Sequence, residues 1–121
     1  MAEDFGVSIT QETQDNLIGG NHPPVMIPIT LASEEGNLKR GHVLGRITAS
    51  GKYGQYDNDA SDGTETAVAI LAEDADATSE DVKCNAYVHG EFKEEGLSWL
   101  DEENDKDAGI LDLLNHGIYV K

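Results

Sequence analysis

The sequence predicts a β-rich α+β domain with a single C-terminal helix, preceded by a flexible N-terminal arm. Three observations carry this prediction. Residues 82–89 alternate between apolar and polar side chains, as a half-buried strand does. Residues 67–72 form an uninterrupted apolar run of a length that suits a strand buried on both faces, although periodicity alone does not exclude a helix. Apolar side chains at residues 110–114 recur at helical spacing, so one helix is expected near the end of the chain.

Residues 1–24 are predicted to be the arm, and residues 25–121 the folded body. A cluster of chain breakers at residues 19–24 separates the two, with adjacent glycines followed by two prolines. Within the arm, Phe5, Val7 and Ile9 fall on one face of a predicted strand. This strand either folds back as an edge of the body's own sheet or adds to the sheet of another chain.

The first half of the body reads as short strands joined by turns. Val25, Ile27, Ile29 and Leu31 share one strand face, and Pro28 on the other face withholds a backbone donor, which indicates an edge position or a strand end. Further strands are expected at residues 42–49 and 53–56, with turns at residues 33–36 and 50–52.

In the second half, the strand at residues 82–89 is predicted to point Cys84 into the core, with Tyr87 on the opposite, polar face. Asn104 or Asp105 is the expected N-cap of the helix. Gly117 is expected to end the helix in a positive-φ conformation, before a short strand at residues 118–120.

The chain is strongly acidic, with a formal net charge of −16 from 24 acidic and 8 basic residues. Residues 57–81 alone carry nine acids and no base. Such a surface disfavours nucleic acid and anionic membranes as direct partners, because both are bound mainly through Lys and Arg. The same composition is typical of adaptation to high salt and of an ordinary solvated acidic face. The N-terminus has no secretory signal, so synthesis in the cytoplasm is expected.

No group of residues predicts a catalytic, metal or cofactor site. Cys84 and His89 lie five positions apart, which places them on opposite faces of a strand. The acidic segment at residues 57–63 resembles the start of a calcium loop, but Asp62 stands where that loop needs glycine and Val68 where it needs glutamate. We therefore predict an acidic turn with Gly63 at its tight point, and a protein that is not an enzyme.

Several separate blocks of sequence resemble the head decoration proteins of lambda-like tailed phages, in order from about Pro24 to Lys121. The blocks are Gly41-His42-Val43-Leu44-Gly45, Asp62-Gly63, Ala67-Val68-Ala69-Ile70-Leu71-Ala72, Val88-His89-Gly90-Glu91-Phe92, and the closing helix with Gly117-Ile118-Tyr119-Val120.

The resemblance implies a small, compact domain with much irregular structure that assembles as a homotrimer on the three-fold sites of the capsid. Its partner would be the major capsid protein, on the outer surface of the expanded phage head, which it would stabilise against the pressure of packaged DNA. The arm would add a strand to the coat protein through Phe5, Val7 and Ile9. Tyr53, Tyr56 and Trp99 are the expected trimer contacts, although Trp99 also fits a core position.

One alternative comes from a different class of function. A small β-rich body without catalytic groups also suits a ligand-binding module, for example a carbohydrate-binding one. The only feature that favours an acid–base enzyme is the presence of carboxylates, which no motif assigns to a site. Carboxylates are so abundant throughout the chain that some pair is expected at a catalytic separation by chance.

Overall fold

A computed structural model describes residues 23–121 of the chain. Eight strands, one 3₁₀ turn and one α-helix follow one another within this part. The strands are β1 (Val25–Leu31), β2 (Gly36–Leu38), β3 (Val43–Arg46), β4 (Tyr53–Gln55), β5 (Ala67–Leu71), β6 (Ala75–Ala77), β7 (Val82–Phe92) and β8 (Ile118–Val120), and the helical segments are the 3₁₀ turn (Glu94–Gly96) and α1 (Glu102–Asn115). The predicted arm, including Phe5, Val7 and Ile9, lies outside the described residues, apart from its last two prolines.

Five of the strands form a sheet that closes on itself. Its order is β1-β4-β3-β5-β7, and β7 pairs in turn with β1 along the whole of β1. The seam between β1 and β4 holds a single parallel pair, Leu31 with Tyr53. β8 adds to the far end of β7 as an outer strand, and β2 pairs with β6 in a separate small sheet. The predicted β-rich α+β fold with a C-terminal helix is therefore confirmed.

Pro28, which has no backbone N–H, lies where the sheet forms no hydrogen bond that would require one. The backbone N–H of Ala32 donates to Tyr53 at 2.8 Å, so even-numbered residues of β1 direct their backbone groups toward the β4 side. Only Leu31 pairs with β4, and Pro28 is exposed beside this unpaired stretch of the seam. Proline is found at such unpaired edges because it removes no ladder bond there.

Two clusters of buried side chains lie on the two sides of β5 and β7. One cluster joins β1, β3, β5 and β7 to the small β2-β6 sheet, and includes Leu31, Leu44 and Leu71. The other lies between the sheet and α1, and includes Ile70, Phe92 and Leu113. Because β5 contributes to both clusters, the predicted strand buried on both faces is confirmed.

β7 differs from its prediction on one face. Cys84 points inward and is 7% exposed, as predicted, and burial raises the pKa of its thiol with a further contribution from Glu73. Tyr87 was expected on a polar face, yet it is also 7% exposed. Its ring packs 5.2 Å from that of Phe92, and its hydroxyl accepts a hydrogen bond from Arg40. The helix side of the sheet covers this face, which alternation within one strand cannot reveal.

The N-cap of the helix lies three residues before the first predicted N-cap, Asn104. Asp101 is the N-cap, and its carboxylate accepts a hydrogen bond from the Asn104 backbone N–H at 3.4 Å. Asn104 and Asp105, the predicted caps, lie in the first turn, so that prediction was wrong. The first turns of α1 are polar and carry no apolar periodicity, so the pattern showed only the second half of the helix. The predicted helix end at Gly117 is confirmed, with a φ of 82°.

Other boundaries also shift. The strand expected at residues 42–49 ends at Arg46, because residues 48–50 form a turn. β2 and β6, of three residues each, were not predicted. Gly63 does occupy the tight point of the acidic turn. Its φ is 113°, and a Cβ atom there would lie 2.3 Å from the Arg46 carbonyl oxygen.

Candidate functional site

Tyr53, Tyr56 and Trp99, the residues predicted at a trimer interface, occupy different environments in the single chain. Tyr53 is partly buried at the seam between β1 and β4. Tyr56 is 1% exposed and belongs to the cluster beneath α1. Trp99 is partly buried and packs against the same cluster. Tyr53 and Trp99 thus keep surface that a neighbouring subunit could cover, whereas the Tyr56 side chain lies inside its own domain. The interface itself stays a prediction.

Trp99 is held by α1 and by Tyr56. The two rings meet edge to face with centroids 6.2 Å apart. Gly109 lies directly under the indole, and a Cβ atom at that position would lie 2.4 Å from the ring. The sequence left Trp99 between a core and an interface position. These contacts show that at least one face of the ring supports the core.

A carboxylate-rich junction ties the acidic turn to the start of α1. Asp105 is fully buried, and its two oxygens accept hydrogen bonds from the backbone N–H groups of Asn58 and Asp101, each at 3.2 Å. The turn and the helix N-terminus are thereby held in one arrangement. Within the described residues, no set of three or more His, Cys, Asp or Glu side chains is placed to hold a metal ion.

The carboxylates around this junction act on the neighbouring tyrosine. Burial, reinforced by the negative charges of Asp112, Asp105 and other nearby aspartates, raises the pKa of Tyr56 to about 12. The phenol is therefore neutral throughout the physiological range and cannot serve as a general base there. We assign this junction a structural role.

His42 is a second buried polar group. It is 8% exposed, and its Nδ1 shares a hydrogen bond with the Ser98 hydroxyl at 3.1 Å. Burial lowers the pKa of His42, opposed in part by the Gln55 side chain. The backbone of His42 also bridges to Ser98, so the ring helps to fix the segment that leads from β7 to α1.

An apolar surface groove that sequence reasoning missed lies between the second half of α1 and β8. A groove of about 390 Å³ runs there, and Ile110, Leu114, Tyr119 and Val120 form its apolar lining. Two charged residues, the buried Glu91 and the exposed Lys121, also line the groove and form an ion pair at 2.5 Å. We call this surface the α1–β8 groove.

Two exposed leucines lie on the second half of α1, and one of them, Leu114, lines the groove. Leu111 is 59% exposed and Leu114 51% exposed, whereas Leu113 is fully buried. Four apolar residues within residues 110–114 cover more of the helix circumference than one buried stripe requires. That excess was the sequence signal for an outward-facing apolar patch.

No helix within residues 23–121 is long and apolar enough to cross a membrane.

Comparison with protein families gives one match. The family model of the bacteriophage lambda head decoration protein D matches residues 11–118. The match covers most of the described body and reaches into the predicted arm. A search of curated proteins found no match.

Proposed function

The chain belongs to the family of the bacteriophage lambda head decoration protein D, and we propose that it binds the outer surface of the expanded phage head as a homotrimer and stabilises the shell against the pressure of packaged DNA. The observation that carries this proposal is the family match over residues 11–118. The β-rich body with its C-terminal helix is in keeping with it, and family membership makes the chain a structural component of the capsid.

The proposal assigns separate tasks to two parts of the chain. Residues 25–121 form the body that occupies a three-fold site, and residues 1–24 form the arm that reaches the major capsid protein. Phe5, Val7 and Ile9 share one face of the predicted strand in the arm. Added to an open edge of a coat-protein sheet, such a strand gains affinity from backbone hydrogen bonds and register from its alternate side chains.

Trimerisation allows arms that each bind weakly to give tight overall binding. Once one arm of a trimer is bound, the other two search only the volume that their linkers permit, so the overall affinity exceeds that of one arm by orders of magnitude. The net charge of −16 makes long-range attraction to a polyanion unfavourable, so the outer surface of the head suits this chain better than the DNA-filled interior.

The test of this division is co-sedimentation with expanded shells of the phage that encodes the chain. We expect the full chain to sediment with the shells, and a chain lacking residues 1–20 to stay in the supernatant. In the full chain, serine at Phe5, Val7 and Ile9 together should also abolish binding, because it removes the apolar face of the strand.

The matched control changes the opposite face of the same strand. Alanine at Ser8 and Thr10 keeps the length, the backbone and the apolar face of the arm, so this variant should bind as the wild type does. Equal loss in both variants would contradict the assignment of Phe5, Val7 and Ile9. Unchanged binding after removal of residues 1–20 would refute a role for the arm.

A further inference from the structure

From the geometry of the C-terminal end of the sheet, we infer that the α1–β8 groove is a second contact with the coat protein and receives an extended, uncharged, apolar segment of it. This inference rests on the proposed function, because it takes the coat protein as the partner. It goes beyond that function by giving the body its own binding surface, separate from the arm.

The lining of the groove selects the chemistry of its occupant. Ile110, Leu114 and Val120 offer aliphatic surface, and Tyr119 adds an aromatic ring. The two charged lining residues, Glu91 and Lys121, form an ion pair at 2.5 Å, so their charges balance. In a chain of net charge −16, a groove whose charged residues balance each other is a place where an apolar partner meets little electrostatic cost.

The edge of β8 selects the shape of the occupant. β8 is the last strand of its sheet in the described part of the chain, so the side facing away from β7 has no strand partner there. The Lys121 backbone N–H donates to Phe92 of β7 at 2.8 Å. By strand alternation, the N–H and C=O of Val120 therefore point away from β7. An extended segment can pair with these groups while its side chains enter the groove.

The position of the arm identifies the partner. The body begins beside β8, because Val25 of β1 pairs with His89 of β7, and the His89 ring packs edge to face against Tyr119 at 6.2 Å. Two strand spacings, about 10 Å, separate β1 from β8. The arm that we assign to the coat protein thus leaves the body next to the α1–β8 groove, so both surfaces face the same partner.

The exposed apolar side chains collect around this end of the molecule. Within the described residues, Val25 and Met26 at the start of β1 are 46% and 54% exposed, and Leu111 and Leu114 lie on the second half of α1. Leu100, 49% exposed, precedes the opposite end of the helix, about 20 Å away at 1.5 Å per helical residue. Leu100 therefore provides a matched control.

The test measures binding of full-length variants to expanded shells. Serine at Leu111 and Leu114 together should weaken binding about tenfold, because burying the exposed halves of two leucines contributes at least the free energy equivalent to a tenfold change. Serine at Leu100 should change the affinity by less than about twofold. Thermal unfolding of each free variant shows whether the fold is retained.

A second pair of variants tests strand pairing at β8. Proline at Val120 removes the outward N–H and the valine side chain, whereas alanine removes only the side chain, so the proline variant should bind several-fold more weakly than the alanine variant. Equal binding of these two variants would refute pairing at β8.

The outcomes separate this inference from the proposed function. If the wild type does not bind expanded shells, the proposed function fails. If the wild type binds and the Leu111 and Leu114 double variant binds equally well, only the groove assignment is overturned. Sedimentation equilibrium gives the third outcome: loss of self-association in the free double variant would assign the groove to contact between copies of the chain, and would also overturn this inference.

Discussion

Replacing Gly63 with alanine should be among the most destabilising single-methyl changes in the body. The backbone at Gly63 has a φ of 113°, a conformation that costs an L-residue about 1–2 kcal/mol. The new Cβ would also lie 2.3 Å from the Arg46 carbonyl oxygen and 2.7 Å from the Thr48 backbone nitrogen. Because both neighbours are backbone atoms, the turn must move to make room.

Gly36 offers a control with the same backbone demand and no collision. Its φ is 93°, and nothing lies within 4 Å of an added Cβ atom. Alanine at Gly36 should therefore cost only the conformational term of about 1–2 kcal/mol. Alanine at Gly63 adds an overpacking term of about 1–3 kcal/mol, so its total cost should be about 2–5 kcal/mol.

Urea unfolding of both variants, followed by far-UV circular dichroism, gives the two free-energy losses on the same scale. The expected result is a loss at Gly63 that exceeds the loss at Gly36 by at least about 1 kcal/mol. Equal losses would refute the close approach of the acidic turn to the end of β3, and a larger loss at Gly36 would reverse the ranking that the structure requires.

Three further predictions concern the helix and the buried polar groups. Alanine at Gly109 should destabilise the wild type through overpacking by about 1–3 kcal/mol, and this cost should shrink by at least about 1 kcal/mol when Trp99 is also alanine. A double-mutant cycle by urea unfolding measures this coupling, and additive losses would exclude the contact between Gly109 and Trp99. Alanine at Asp105 should lower the free energy of unfolding by about 2–4 kcal/mol, because two backbone donors lose their buried acceptor. Alanine at the exposed Asp107 should change it by no more than about 0.5 kcal/mol, and equal melting temperatures of the two variants would contradict the buried role of Asp105. The folded-state pKa of His42 lies below 6.5, so its neutral ring stabilises the fold fully above pH 6.5, and this stability is lost as the pH falls below that value. Between about pH 7.5 and 5, the free energy of unfolding should therefore fall less for His42→Asn than for the wild type. Parallel curves of this free energy against pH would refute the prediction.

The elements that the sequence predicted are those whose periodicity reports burial directly. β5 and β7 carry strong apolar patterns, and the end of α1 is marked by Gly117. β2 and β6 were not predicted, because three residues are too few to show alternation. They also pair with each other across 36 or more intervening residues, so no local pattern indicates the pairing. The start of α1 escaped because its first turns are polar and its cap could only be located from geometry.

The candidate surface was harder to predict than the fold. Helical spacing grouped the four apolar residues of α1 as one set, and only packing shows that Leu113 is buried while Leu111 and Leu114 face outward. Tyr56 shows the converse, because it was expected at a contact between subunits, whereas the tertiary fold buries it. Partner-facing and core-facing apolar residues have the same composition, so sequence alone does not separate them.

The measurement that tests the central claim most directly is equilibrium binding of the full-length chain to expanded and unexpanded shells of the same phage. The account predicts saturable binding to expanded shells, with three copies at each three-fold site, and much weaker binding to unexpanded shells. Absence of binding to expanded shells, even at the highest protein concentrations, would contradict the assignment of this chain as a head decoration protein.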